Sequence, residues 1–364
     1  MDVVDLLIKL LSSPSVTPED AGTMDFIEEY LSEFDAVRID EGGVKNIFLS
    51  IKFSEGDHLC FAGHVDVVPP GDGWFSDPFL PLIRDGRIYA RGAQDMKSGL
   101  AAFVEAVRRA EKFTGRLSVL LTSDEEGDAE YGTKIVLREL EKEGMLPDYA
   151  VVAEPTCDKI FGDSIKIGRR GSINGVLRLR GRQGHAAYPE KASNPVDMIA
   201  PILGHIAGAE LDSGDEFFAP SRVVITDIRA GMEATNVTPG ELKMMFNVRN
   251  STKTSESDIR EFIEDCLGSL EYDLELKQSA KPFMTDPESR IVSAMDEAVR
   301  EICGTIPAHS TAGGTSDARF FGEYGVKTIE FGPVNDTIHA PNENVPVEDV
   351  KKLYEVFRSL IERF

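Results

Sequence analysis

No apolar run in this chain approaches the roughly 18 residues that a membrane-spanning helix needs. Basic residues are scarce: 39 lysines and arginines stand against 63 aspartates and glutamates, for a net charge of −24. That balance argues against a nucleic-acid or anionic-membrane partner. Cysteine is sparse as well. Cys60, Cys157, Cys266 and Cys303 form no C-x-x-C pair, and the first two lie in or beside apolar stretches, where a small buried thiol is ordinary. Such usage predicts a reduced, cytoplasmic setting. Met1 is followed by Asp2 and Asp5, the wrong charge for the start of a signal peptide. The single tryptophan, Trp74, and the Met244-Met245 pair read as packing residues, and no internal repeat or low-complexity segment is found.

What is present is an α/β texture with an interruption. The 364 residues suggest about two domains, each able to bury its own core. Residues 2–12 read as an amphipathic helix. Thr17-Pro18-Glu19-Asp20 then reads as a helix start, with an N-cap, a proline at N1 and an acidic N3, running to Leu31. Strand patterns at 59–66, 116–122 and 149–153 alternate with helical ones up to about residue 170. That alternation predicts a mostly parallel sheet covered by helices. After Gly171 the pattern changes to alternating strands at 173–181, 221–230 and 241–249, with helices at 195–208 and 256–269. Parallel-sheet texture returns near residue 284, with a helix at 287–302, a strand at 326–331 and a last helix at 347–363. The expected layout is therefore an α/β domain of residues 1–170 and 284–364, interrupted by an α+β insertion of residues 171–283.

Each clear strand of the first texture ends in polar residues: His64 and Asp66, then Asp124-Glu125-Glu126-Gly127, then Glu154-Pro155-Thr156. In open α/β sheets, ligands bind at the carboxyl ends of the strands. His64 and Asp66 share a face, because side chains alternate along a strand. A carboxylate so placed can take one ring N–H and leave the other nitrogen for a metal. Taken alone, a histidine at a strand end is more often only hydrogen-bonded, and an acidic triplet is a solvated turn. Taken together, however, His64, Asp95, Glu126, Glu154 and His339 amount to two histidines and three carboxylates, with Glu125 over. That is one ligand set for two zinc ions if one carboxylate bridges. Glu125, beside a ligand but left over from the count, is then free to act as a general base. His58, His205 and His309 have no partner at ligand spacing.

The stretches GHVDVVPPGDGW, RGAQDMKSGLAA, TSDEEG, AEPT, GRRGS, GHAAYPEKASNP, ATNVTPGE, GGTSDARF and GPVNDTIHAPNE occur in this order over nearly the whole chain. They resemble the co-catalytic zinc amidohydrolases of the aminoacylase and carboxypeptidase clan. The nearest likeness is to bacterial members that remove succinate from a diamino diacid. Acetylornithine and acetyl-lysine deacetylases share most of the motifs, and dipeptidases belong to the same clan. A catalytically inactive binding protein on this scaffold is the other alternative, and loss of the base or a ligand would mark it. Both are kept here.

The resemblance implies a zinc-peptidase-like catalytic domain with an inserted lid and dimerisation domain. It implies two zinc ions per subunit, with cobalt possible at one site. Asp95 would bridge them, His64 and Glu154 would hold one, and Glu126 and His339 the other. Glu125 would be the base, Asp66 the partner of His64, and the Asp95-Met96 peptide would be cis. His185 would reach the active site of the partner in a homodimer. Arg169, Ser172, Asn236, Arg249, Gly314, Thr315 and Arg319 match the family's carboxylate-binding positions, and Tyr188 and Asn335 match positions near the site. Arginine suits such work because its planar fork can pair with a carboxylate through two hydrogen bonds. Gln94 and Ala340 flank two expected ligands, at positions where related enzymes vary.

Overall fold

The run Leu59-Cys60-Phe61-Ala62 is wholly buried and lies in the strand Asp57–His64, near the middle of an eight-stranded sheet. This is seen in the computed structural model, which describes all 364 residues. From one edge the strands run Asp35–Arg38, Asn46–Lys52, Gly115–Thr122, Asp57–His64, Tyr149–Val152, Lys327–Glu330, Ser164–Lys166 and Ala308–Ser310. The four from Gly115–Thr122 to Lys327–Glu330 are mutually parallel, and the first two strands pair antiparallel. A strand buried on both faces reads as an apolar run, as residues 59–62, 119–121 and 149–152 do. Helices Val3–Leu11, Lys97–Arg108, Arg290–Cys303 and Val347–Glu362 supply the cover, each with a buried apolar stripe. Phe61 stacks on Phe103 at 5.8 Å between ring centroids and meets Phe357 edge-on at 5.4 Å, so one side chain ties the central strand to two helices.

The chain divides into two compact units. The first is Met1–Gly168 with Met284–Ser310 and Ser316–Phe364, and the second is Arg169–Phe283 with Thr311–Thr315. The short segment Thr311–Thr315 joins the second unit because its backbone and side chains bond there. Arg169 Nη1 donates to Ala312 O at 2.9 Å, and Thr311 Oγ1 donates to Phe217 O. The second unit is built on an antiparallel sheet in the order Arg222–Ala230, Glu241–Arg249, Ser172–Arg180 and Tyr272–Ala280. Leu177, Leu179, Met244, Phe246 and Val248 point to one face, where they pack with Ile199, Ile206, Ile259 and Ile263 of helices Pro195–Ile206 and Glu256–Leu267.

Two local features differ from expectation. The helix expected from Thr17 begins instead at Thr23, with Gly22 as its N-cap at φ +75°, and ends at Tyr30. Residues 15–17 are drawn away into pairing with the strand end: Ser15 Oγ donates to Val65 O at 2.6 Å and Thr17 N to Val67 O at 3.1 Å. Asp20 serves the helix from outside, accepting from Met24 N at 3.3 Å. The strand Tyr272–Ala280 was not expected. Its inward residues Tyr272, Leu274 and Leu276 alternate with Asp273, Glu275 and Lys277, and no β-branched residue marks it.

Helix Lys97–Arg108 lies very near the strand end at Ala153. A Cβ on Gly99 would fall 2.2 Å from Ala153 O and 2.7 Å from Ala153 Cβ. Only a residue without a side chain allows that approach. Gly99→Ala should therefore lower stability by about 1–3 kcal/mol, the cost of overpacking a close contact. Thermal melting checks this, and an unchanged Tm would show that the helix moves aside freely.

Candidate metal centre

Three parallel neighbours in the sheet bring their carboxyl ends to one edge of the first unit. His64 ends the strand Asp57–His64, Glu125 and Glu126 follow Gly115–Thr122, and Glu154 follows Tyr149–Val152. Asp95 stands before helix Lys97–Arg108, next to a cis Asp95-Met96 peptide. His339 arrives on the loop between Lys327–Glu330 and Asn344–Pro346.

The two oxygens of Asp95 face different histidines. Oδ1 lies 3.2 Å from His64 Nε2, and Oδ2 lies 3.4 Å from His339 Nε2. His64 Nε2 is also 3.7 Å from Glu154 Oε1 and 4.0 Å from Glu125 Oε2. His339 Nε2 is 3.0 Å from Glu126 Oε1. Donor atoms of His64, Glu125 and Glu154 lie within 4.8 Å of one another, as do those of His64, Asp95 and Glu126. The other nitrogen of His64 has the backbone carbonyl of Asp66 at 2.9 Å, with the Asp66 carboxylate farther off at 3.6 Å. The backbone oxygen is thus the nearer partner. The Asp66 carboxylate accepts from Glu126 N at 3.2 Å and so links two strand ends.

The charges are out of balance. Burial, and after it Asp95, Glu125 and other neighbouring charges, pushes the Glu154 carboxyl well above its ordinary range; Glu125 is pushed up in the same way. Burial raises Asp66 to about 6. Burial opposes charge on His64, yet the hydrogen bond to Asp95 and the carboxylates around it hold its pKa well above normal. Asp95 and Glu126 lift His339 to about 10. Glu154 Oε1 is buried without a hydrogen-bond partner, an arrangement that is costly for a carboxylate. Four carboxylates with two histidines, one carboxylate oxygen unserved, is a donor set that fits divalent cations held by nitrogen and oxygen.

Residues 60–363 match the peptidase family M20/M25/M40. The chain belongs to this family. It is a metal-dependent amide hydrolase accordingly. It is 65% identical over its full length, and that of the relative, to a succinyl-diaminopimelate desuccinylase from Nitratiruptor sp.. A desuccinylase from Nautilia profundicola is 61% identical, again with both chains wholly covered. Among solved structures, an aminopeptidase from Bacillus cereus shares the fold at TM-score 0.81 and 21% identity, covering 99% of this chain and 97% of that one. A dinuclear metal-binding M20 peptidase from Bacillus subtilis superposes at TM-score 0.72 and 16% identity, covering 99% and 96%.

The remaining expected site residues fall into separate groups. In the second unit, His185 is exposed and pairs across from Val237, its Nδ1 accepting from Ala187 N at 3.0 Å. Tyr188 meets its ring edge-on at 5.7 Å, and Asn236 O accepts from Ala186 N. These three residues therefore share one small cluster. Arg169 and Ser172 are buried, and Ser172 Oγ accepts from Asn247 Nδ2 at 3.0 Å. Arg249 is half-buried, and burial, with repulsion from Arg170, lowers its pKa. Gly314 and Thr315 lie in the same unit. In the first unit, Arg319 lies over the Phe320 ring with its Nε buried and unpartnered, and Asn335 N donates to Cys157 O. Two of the histidines set aside on spacing are engaged elsewhere, His58 with Ser118 Oγ at 2.7 Å and His309 with Asp296 at 3.0 Å.

Sequence reasoning passed over three buried ionisable residues beside the candidate ligands: Arg91, Lys97 and Glu343. Lys97 Nζ donates to Leu10 O and Ser13 O at 3.0 and 2.9 Å, fastening the start of its helix to the end of Val3–Leu11. Burial lowers its pKa to about 7. For Arg91 and Lys97 the available signal was a charged residue flanked by small and apolar residues, whereas Glu343 lies between two asparagines and gave none.

Proposed function

We propose that the enzyme hydrolyses N-succinyl-LL-2,6-diaminopimelate to succinate and LL-2,6-diaminopimelate, in lysine and diaminopimelate synthesis. The observation that carries this reading is the full-length identity to the desuccinylases. His64, Asp95 and Glu154 would hold one zinc ion, and Asp95, Glu126 and His339 the second, with Asp95 shared; cobalt is an alternative at one site. Such a metal pair polarises an amide carbonyl and lowers the pKa of water. Glu125 takes a proton from the attacking water and delivers it to the leaving nitrogen as the C–N bond breaks. His185 donates to the oxygen that gains charge. Arg169, Arg249 and Arg319, with Ser172, Asn236, Gly314, Thr315, Tyr188 and Asn335, receive the substrate's carboxylates and orient its body. Asp66 steadies His64. The four free cysteines support a reducing, cytoplasmic setting.

Released succinate and released acetate, measured on matched N-succinyl and N-acetyl substrates, test the substrate. Arg249→Ala should lower kcat/KM for the succinyl substrate by about 2–5 kcal/mol, the range for leaving a buried charge pair half empty. The acetyl analogue should lose far less. Equal losses, or preferred release of acetate, would refute the assignment.

Glu125→Gln should keep metal affinity and lose nearly all turnover, because an amide cannot accept the water's proton. Metal analysis alongside kinetics checks this. A variant that lost metal, yet worked when metal was restored, would make Glu125 a ligand.

We further propose that the second unit serves homodimerisation and that His185 acts in the partner's site. Its exposure and its lack of any place in the metal set support this. Inactive His185→Ala and inactive Glu125→Gln proteins, mixed under conditions of proven subunit exchange, should regain activity. One site of each heterodimer then carries neither defect. A mixture that stays inactive would place His185 within its own subunit.

A further inference from the structure

Directly behind Asp95 and His339 lies an ion pair that belongs to neither the ligand set nor the substrate residues. Arg91 is 1% exposed and Glu343 0%, and Arg91 Nη1 lies 2.6 Å from Glu343 Oε2. Removing both charges from water is expensive, and apolar residues of equal volume would generally serve stability as well. The bonds these two side chains make suggest a use beyond stability. Glu343 Oε1 accepts from the backbone N–H of Gln94 at 2.8 Å and of Asp95 at 3.0 Å, while Oε2 accepts from Gly92 N at 3.1 Å. Arg91 donates to the carbonyls of His339 at 3.2 Å, Ala340 at 3.3 Å and Pro70 at 3.0 Å. Trp74 covers the guanidinium at 5.3 Å and bonds the same Pro70 carbonyl.

One partner therefore grips the backbone of Asp95 and the other the backbone of His339. His339 needs the grip, for two reasons. Its side chain is 49% exposed, so packing does not hold the ring. Its φ of +58° is a conformation that a non-glycine residue keeps only when its surroundings enforce it. Gln94, fully buried, adds a second tie: its Oε1 accepts from Thr337 N at 2.8 Å and its Nε2 donates to Asp336 at 2.5 Å. Residues 91–95 and 336–343 are thus clipped together on both sides of the two ligands.

We infer that Arg91 and Glu343 are a positioning pair that sets the spacing of Asp95 and His339, and so the affinity for the metal ion those residues share with Glu126. The inference rests on the ligand assignment proposed above. Arg91→Lys keeps a cation for Glu343 but loses the fork that holds His339 and Ala340. Metal-free wild type and variant are titrated with zinc chloride by calorimetry against a competing chelator. Wild type should take two ions per subunit. Arg91→Lys should bind one of them about 10–100-fold more weakly, the usual effect of losing an outer partner of a ligand, and the other unchanged. Gln94→Ala, which cuts only the second tie, should weaken the same equivalent and decides the matter if Arg91→Lys does not fold. Glu105→Gln is the control. It disturbs a carboxylate bonded to Tyr30, Arg108 and Arg109, so it should lower Tm and leave both equivalents intact. Two unchanged equivalents in the variants, or equal weakening of both, would overturn the positioning role. A wild type that binds fewer than two ions would instead overturn the ligand assignment, and the inference with it.

Discussion

Negative charge concentrated at the ends of three adjacent parallel strands is the constraint on which the rest of this structure depends. Asp95, Glu125, Glu126 and Glu154 converge where water is largely excluded, and only His64 and His339 stand among them as possible cations. A carboxylate withdrawn from water either takes a proton or finds a cation. The raised pKa values of Glu125, Glu154 and both histidines express that pressure. Divalent cations would relieve it, and the two oxygens of Asp95 face different histidines. The surrounding scaffold is closely packed, with a central strand buried from His58 to His64 and a helix brought against Ala153 through Gly99.

The second unit answers a different requirement. In a chain of net charge −24, a doubly anionic substrate needs local positive charge. Arg249, half-buried beside Arg170, is the proposed source; burial and the charge of Arg170 both oppose its own charge. An anion between like charges removes that penalty, which is the physical reason to associate this cluster with carboxylate recognition. His185, Tyr188 and Asn236 form a separate group on short paired segments. The unit has its own core, which includes Ile199, Ile259, Met244 and Phe246.

Much of this was legible from residue order. The runs around Phe61, Val119 and Val151 are continuous and apolar, so strands with polar ends follow from periodicity, and His64, Glu126 and Glu154 come with them. Asp95 and His339 sit on a turn and a loop, where no periodicity operates, so only their donor chemistry, counted with the strand-end residues, and the resemblance to known enzymes singled them out. The helix start at Thr17 was misplaced because a local capping pattern competed with pairing to Val65 and Val67, some fifty residues away. Tyr272–Ala280 escaped because an edge strand alternating leucine with charged residues has little β-branched signal.

The sequence by itself determined which donors exist, that His64, Glu126 and Glu154 follow apolar strands, and that the acidic excess argues against polyanionic partners. Those properties are local or additive, so they survive without coordinates. Only the tertiary structure decided which oxygen of Asp95 faces which histidine, and that His64 leans on a backbone carbonyl in preference to the Asp66 carboxylate. It also decided that Arg91 and Glu343, 252 positions apart, pair and bond to the backbone of His339 and Asp95. Such pairings are made by the packing of distant segments, where hydrogen-bond distances change with tenths of an ångström and no repeat in the chain records them.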